Sequence, residues 1–560
     1  MDFEEVINNA GYETIDSFFK RVVVPAGAVS FVLFLVSLLA VIFYGPQYFE
    51  PPFSTMMLVV PFVILLLGLT TIALYPYYVL ERKKVDIQDH IHYFITFVGA
   101  LATMHLKRLD IFRFVSERTE YGEINRICER VYYLADYWNI GLVASTRKVA
   151  QIIPSRIMGN FLDRLSAAMD FGEKLDVFLM EEQEAVMDEY EVEYQQSIKT
   201  LDLVQDALVS LTIGMAFVLS ISFLLPMVSG YNIYLMVGLS ALLLFLIDVM
   251  ALIFIDGFIT HDPLTHSLPI QPEEFHKMRQ MIAPMIILSI MLFIILHLLD
   301  FFSLPVNFSA AIVPLVGIGF YAYKFEKKAK DYDDAFPAFI RSIGGSLGSR
   351  GGSLLGTIEP LRVHDFGIYN EPLEKLYRRL KLRCDKYLSW MYLSGETGSN
   401  LVENFGTIFL HVIRIGGDAE IGGELISKNF SRLLGLRKLR MQLASSVRGV
   451  YYGTLFGITG AAYATLKMVE VLDETMSRSL AAVSESPMVA SVTRDLLPAM
   501  GQMNVPVIQN MLFLILVVHS AFSALGIKMI DGGRKEAAVV DFIVMVWIVA
   551  ALSEIGRAHV

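Results

Sequence analysis

The chain reads as an all-α, polytopic membrane protein with about nine transmembrane helices and two repeated cytoplasmic helical-bundle domains. Three observations predict this. Of its 560 residues 54% are hydrophobic and only 18% charged, where a soluble globular chain carries about 25% charged residues. The apolar excess is gathered in blocks of about 20 residues, the length that crosses a bilayer as a helix. Between the blocks lie two long polar stretches with helical periodicity. The mean hydropathy of +0.52 averages these parts and describes neither.

Taken in order, the blocks are Val22–Tyr44 and Met56–Leu80, then Ala207–Val228, Ile233–Ile255, Met281–Phe302 and Val306–Phe325, and last Gly449–Val469, Val505–Ile527 and Ala537–Leu552. The first follows acidic rather than basic residues and has no small-residue cleavage site after it, so it reads as a retained anchor. The seventh is diluted by Gly453, Gly457 and Gly460, small residues at a spacing suited to close helix packing. The organisation is 1–80 (N-terminal segment and two spans), 81–206 (first cytoplasmic domain), 207–325 (four spans), 326–448 (second cytoplasmic domain) and 449–554 (three spans and an exterior loop, 470–504). The last six residues, 555–560, read as a non-native tail, and the final span is short. Basic residues set the orientation. Lys20 and Arg21 precede the first span, Arg82, Lys83 and Lys84 follow the second, and Lys327, Lys328 and Lys330 follow the sixth. The loop 45–55 has no Lys or Arg. This alternation predicts a cytoplasmic N-terminus.

Glu81–Gln205 and Glu326–Arg448 are polar enough to fold in water. Ile127, Val131, Leu134 and Ala135 share one helical face, and Leu373, Leu376, Leu380 and Leu388 another. The two stretches repeat at an offset of 245. Phe94-Ile95 with Gly99 matches Phe339-Ile340 with Gly344, Tyr121-Gly122 matches Phe366-Gly367, and Phe171-Gly172-Glu173 matches Gly416-Gly417-Asp418. Glycines at these places mark helix ends or close helix crossings. The charge of the copies has diverged. The first holds 15 Lys plus Arg against 21 Asp plus Glu, the second 19 against 14. Acid concentrates in Glu173–Glu193, and base in Lys375–Lys386 and Lys428–Arg448. Such runs are ordinarily solvated faces; on a doubled scaffold they also suit steering of a large charged partner.

Several chemistries have no support. There is no P-loop, no H-E-x-x-H and no C-x-x-C, and the two cysteines, Cys128 and Cys384, make no disulfide framework or thiolate metal site. The net charge of −11 argues against nucleic acid. Gly344–Gly356 is glycine-rich but follows no strand, so it reads as a helix break. Asp248 is the one clearly intramembrane carboxylate, with His297, Asp300 and His519 nearby in the spans. Packing against a neighbour is the commoner reason for such a group, ion passage the rarer. No catalytic cluster, cofactor or metal is expected.

The order of spans, bundle, spans, bundle, spans resembles the type II secretion F-domain platform proteins of type IV pilus-like machines. Four strings carry the likeness further: "HYFITFVGALATMHLKRLDIFRFVSERTEYGE" from His92, "PSRIMGNFLDRLSAAMDFGEKLDVFLMEEQE" from Pro154, "DDAFPAFIRSIGGSLGSRGGSL" from Asp333 and "SGETGSNLVENF" from Ser394. They resemble the archaellum (archaeal flagellum) branch, the J family of assembly platforms. The resemblance implies a non-enzymatic scaffold in the cell membrane, a homo-oligomer (dimer), on which a hexameric cytoplasmic ATPase docks. The partner's hydrolysis would drive insertion of archaellin or pilin-like filament subunits from the lipid phase, and rotation. On that reading the charge pattern marks Glu181, Glu182, Glu184, Asp188 and Glu189, and Arg378, Arg379, Lys381 and Arg383, as docking charges. The platform of an adhesive pilus or a type II secretion system shares the plan. A secondary transporter fits less well, since the clearest repeat lies in the polar blocks.

Overall fold

The computed structural model describes residues 7, 15–48, 59–104, 107–229, 232–299, 302–349, 353–483 and 504–558. Their regular elements are all helical; an isolated antiparallel bridge joins Thr265 and Ser399. The chain forms two compact units, Met1–Tyr190 and Glu191–Val560.

In the first unit, α1 (Val24–Tyr48) packs against α2 (Val59–Leu101). Their apolar side chains face outward, as membrane helices require: Val36 and Phe62 are 59% and 58% exposed. α2 continues as one helix into the polar bundle of α3 (Arg108–Ser116), α4 (Glu123–Asp136), α5 (Leu142–Ala150), α6 (Arg156–Asp170) and the start of α7 (Leu175–Ser229). Ser155 caps α6 by accepting the Met158 N–H. Phe94 of α2 is buried edge-on against Tyr121 and Phe161, at 6.4 and 5.7 Å between ring centroids. Burying each such ring contributes about 1.5–3 kcal/mol. The turn into α4 is held by Asp86, whose Oδ2 accepts the Glu123 N–H at 2.6 Å. Gly122, at φ +55°, lies so close that a Cβ there would strike this carboxylate. The buried face of α4 centres on Ile124, Cys128 and Val131. Ile127, Leu134 and Ala135 are half-buried beside it, because Cys128, a small apolar residue, shifts the centre of the stripe.

The second unit holds the rest of α7, then α8 (Ile233–Phe258), α9 (Glu273–Leu299), α10 (Leu304–Ala311) and α11 (Val316–Ser349). Its polar bundle continues with α12 (Leu354–Leu361), α13 (Asn370–Lys381), α14 (Lys386–Thr397) and α15 (Asn400–Arg414). It closes with α16 (Ala419–Val483), α17 (Val505–Asp531) and α18 (Ala538–Ala558). Phe339 stacks on Tyr369 at 4.2 Å and stands edge-on to Phe366 at 5.6 Å. α11 and α16 cross at Gly344, where a Cβ would sit 2.5 Å from the Ala419 carbonyl and 3.1 Å from the Gly423 Cα; close approach is the use of Gly344. The helix runs through Gly344 to Ser349, and residues 350–352 lie outside the described ones.

Three expectations are corrected. α13 ends at Lys381, and Asp385 caps a new helix by accepting the Leu388 N–H, so Leu388 leaves the Leu373–Leu380 face and is 45% exposed. A Cβ added at Gly453, Gly457 or Gly460 would meet nothing within 4 Å, so these glycines make no close helix contact with the described residues. The left-handed glycine after α15 is Gly416, at φ +90°, where the constant offset pairs Gly417 with Gly172.

Eight helices among the described residues are long and apolar enough to cross a membrane. They coincide with all the expected blocks but the second, which lies on α2; its first residues, 56–58, are outside the described set. Of the segment expected as an exterior loop, 470–504, residues up to Val483 are helical as the end of α16, and 484–503 are outside the described set.

Candidate coupling site at the foot of the second bundle

The most heavily partnered polar residues of the second unit sit where its bundle meets the membrane helices. Arg437 and Arg440, one turn apart on α16, are both buried. Arg437 donates through Nε to Asp262 Oδ2 at 2.6 Å and through Nη2 to the other Asp262 oxygen and to the Pro263 carbonyl at 2.9 Å. Its Nη1 donates to Asp333 Oδ2 of α11 at 3.0 Å. The fork geometry of a guanidinium suits this two-carboxylate grip. The second Asp333 oxygen accepts the Ser399 hydroxyl, and Ser399 Oγ in turn accepts the Val402 N–H at 3.1 Å and so caps α15.

Arg440 serves the end of another membrane helix. Its Nε and Nη2 donate to the Ile530 and Met529 carbonyls of α17 at 2.6 and 2.9 Å, and Nη1 to Thr260 O at 3.0 Å. Those α17 carbonyls lie at the negative end of the helix dipole, where a cation is stabilising. Gly532, left-handed at φ +75°, ends α17 and leaves room for the guanidinium, which a Cβ would meet at 3.0 Å. Beside it, Lys528 donates to Glu326 at 2.8 Å and to Asp531 at 2.7 Å, and Glu326 also accepts the Arg534 N–H at 2.7 Å.

The segment after α8 is clipped to the bundle as well. Leu264 donates its N–H to Gly532 O at 3.2 Å, and Asn400 donates to Leu264 O at 3.1 Å. His266 is buried, with Nε2 3.0 Å from Gly395 O and Nδ1 accepting the Leu268 N–H at 3.1 Å. An imidazole that accepts at Nδ1 and donates at Nε2 is neutral, consistent with burial pushing its pKa down. Two bundle helices, α11 and α16, are thereby tied to the bundle-side ends of two membrane helices, α8 and α17. The geometry provides a buried, charge-bonded joint between bundle helices and membrane helices.

Asp333 is one group in this joint that responds to pH. Burial pushes its carboxyl from 3.8 up to about 7, against the opposing pull of Arg437 and the Ser399 hydroxyl. Below pH 3.8 it is protonated whether folded or unfolded. Between 3.8 and about 7 the unfolded chain ionises while the folded one holds its proton, so stability is progressively lost; above 7 the loss is complete. Asp333→Asn is therefore expected to gain on the wild type as pH rises from 5 to 8. Melting temperatures of both proteins at the two pH values check this, and an unchanging difference contradicts it.

The structure sorts the nine expected docking charges. Glu182 is buried against Arg164, which also donates to Glu189 at 3.1 Å, so these two carboxylates tie α7 to α6 within the first bundle. Glu181, Glu184 and Asp188 are exposed. Arg379 is bound to Glu396 and lies over the Tyr392 ring at 4.8 Å, tying α13 to α14. Arg378, Lys381 and Arg383 are exposed. Arg378 donates to Glu374 at 3.0 Å, Lys381 lies 5.6 Å from the Tyr377 ring centre, and Arg383 has the left-handed φ of 60° at the α13–α14 turn. In the membrane region Asp248 of α8 is buried and 2.8 Å from Nδ1 of buried His519 of α17. Its Oδ2 has no hydrogen-bond partner among the described residues. At 1.5 Å per residue the two lie about 15 and 18 Å from the inner ends of their helices, near mid-membrane. His297 stacks on Phe293; Asp300 lies outside the described residues.

The joint itself was hidden in the sequence. Arg437 and Arg440 stood within the basic run Lys428–Arg448, and only the apolar residues around them, Leu433, Leu436 and Leu443, hinted at burial.

Two known proteins, each named flagella accessory protein J, are similar to this chain almost end to end. That of Methanocaldococcus jannaschii is 32% identical over 547 residues, 96% of this chain and 94% of its own length. That of Methanococcus voltae is 28% identical over 557 residues, 97% and 96% of the two lengths. No family model and no solved structure matches the chain.

Proposed function

This chain belongs to the flagella accessory protein J family, and we propose that it is the membrane platform on which an archaellum is assembled and turned. It is a multi-pass, all-helical membrane protein. The observation that carries the platform reading is the buried joint, which fastens bundle helices to membrane helices through Arg437 and Arg440. A scaffold that passes movement from water into the membrane needs such a joint; an enzyme or a simple anchor does not.

On this reading a hexameric cytoplasmic ATPase docks on the two bundles and drives archaellin-like subunits from the membrane into the filament. The platform sits in the cell membrane with its N-terminus in the cytoplasm and works as a dimer. The bundles arose by duplication, supported by Phe94 and Phe339 making the same edge-to-face contact with Tyr121 and Phe366. Exposed Arg378, Lys381 and Arg383 steer the ATPase, with Glu181, Glu184 and Asp188 supplying the opposite sign on the first bundle. The full-length protein in nanodiscs is expected to bind the ATPase with an affinity that falls as salt rises. Reversing Arg378, Lys381 and Arg383 to Glu should weaken binding at least tenfold in surface plasmon resonance. Unchanged affinity at low salt would remove this patch from the interface.

A further inference from the structure

The end of the first bundle farthest from the membrane carries large apolar side chains in the open. α2 takes the chain about 32 Å inward from Leu80, the end of its apolar block, to Leu101. α3 starts just beyond, and its Arg108 donates to the Met169 carbonyl at 3.0 Å, so the α6–α7 turn, 171–174, lies at this far end. The α4–α5 turn, 137–141, lies there too. Ala150 of α5 stands against Gly159 of α6, while Arg147 donates to Ser166 at 3.2 Å and to Asp170 at 3.3 Å. α5 therefore runs antiparallel to α6, with its first turn beside the last turn of α6. Tyr137 and Trp138 are 72% and 75% exposed and Phe171 is 89% exposed.

The α4–α5 turn is fixed by its own backbone. Trp138 and Ile140 donate their N–H groups to the Tyr133 and Leu134 carbonyls, both at 3.2 Å. Asn139 takes the left-handed φ of 50°, a conformation that asparagine tolerates. The matching residue of the second bundle is Arg383, at φ 60° in the α13–α14 turn. One copy of this turn thus presents bases to water, and the other presents a tyrosine and a tryptophan. The exposed charges beside the aromatic turn are mixed, Asp136 and Glu173 with Lys107 and Lys174, so net charge gives a partner little hold here. Aromatic rings on a preformed turn bury much area for little lost freedom, and Trp and Tyr dominate the energy of protein interfaces.

We propose that Tyr137 and Trp138 are the anchor of the cytoplasmic ATPase on the first bundle, entering an apolar pocket of that protein. The inference rests on the platform reading and divides its labour. Exposed charges such as Arg378, Lys381 and Arg383 set how fast the partner arrives, and the aromatic turn sets how long it stays.

The test is surface plasmon resonance of the full-length protein in nanodiscs against the ATPase. Tyr137→Ser/Trp138→Ser should raise the dissociation rate about tenfold or more, at low and high salt alike. Arg378→Glu/Lys381→Glu/Arg383→Glu should instead slow association. Should the aromatic variant not fold, the wild type supplies the same answer: hydroxyl-radical oxidation of Trp138 should fall severalfold when the ATPase is bound. An unchanged dissociation rate, or equal oxidation of Trp138 with and without the ATPase, overturns the anchor and leaves the platform reading standing. A wild type that does not bind the ATPase at all ends both. If the aromatic variant, without ATPase, changes the mass of the assembly in mass photometry, the turn is a contact between copies of this chain and the proposal falls.

Discussion

Arg437→Met is expected to destabilise the protein by about 3–5 kcal/mol, the usual result of removing one partner from a buried ion pair. The reason is what stays behind. Buried Asp333 and half-buried Asp262 would be left without the guanidinium that now bridges them. The loss should be seen as a lower melting temperature and a smaller monodisperse fraction of the detergent-solubilised protein. Removing the stranded charges should restore most of it: Arg437→Met with Asp262→Asn and Asp333→Asn is expected to outlast the single variant clearly. If the single and triple variants melt together, the network is not acting as a charge-compensated unit. Arg437→Lys should fall between, since an ammonium cannot grip both carboxylates with a planar fork.

His519→Ala is expected to cost about 2.5–3.5 kcal/mol, the range for an uncompensated carboxylate at the centre of a membrane helix. His519 lies 2.8 Å from Asp248, and among the described residues no other partner stands at the second Asp248 oxygen to take over. Asp248→Leu/His519→Leu removes both polar groups and should recover wild-type resistance to unfolding in dodecyl sulfate titrations. A single variant as stable as the wild type would show that water or lipid already reaches this pair.

Much of the architecture could be read from the residues. Blocks such as Ile233–Ile255 are so uniformly apolar that no folding context alters their meaning. The bundles were legible from stripes such as Leu373, Leu376 and Leu380. Finer points were not. Leu388 repeats the spacing of that stripe, but Asp385 starts a new helix just before it. The charge runs misled most. Arg378 and Arg379 are neighbours in sequence, yet one is exposed and the other bound to Glu396. Adjacent residues of a helix point about 100° apart, so a run of like charge always straddles surface and core. Which member turns inward depends on an acid far along the chain, as Asp262 does for Arg437, and a single sequence does not reveal that pairing.

α16 is one helix from Ala419 to Val483, about 98 Å long at 1.5 Å per residue. Arg437 and Arg440 pin it far from its midpoint. The arm reaching back into the bundle is about 27 Å and the arm reaching through the membrane about 69 Å. The rod is also held at Gly423, which crosses α11, and at Arg448, which donates to Asp541 of α18, but a rigid tilt about the Arg437–Arg440 pair would be multiplied about two and a half times from its short end to its long one. A tilt that shifts its short end by 2 Å would sweep the far end by about 5 Å, close to the rise of one helical turn.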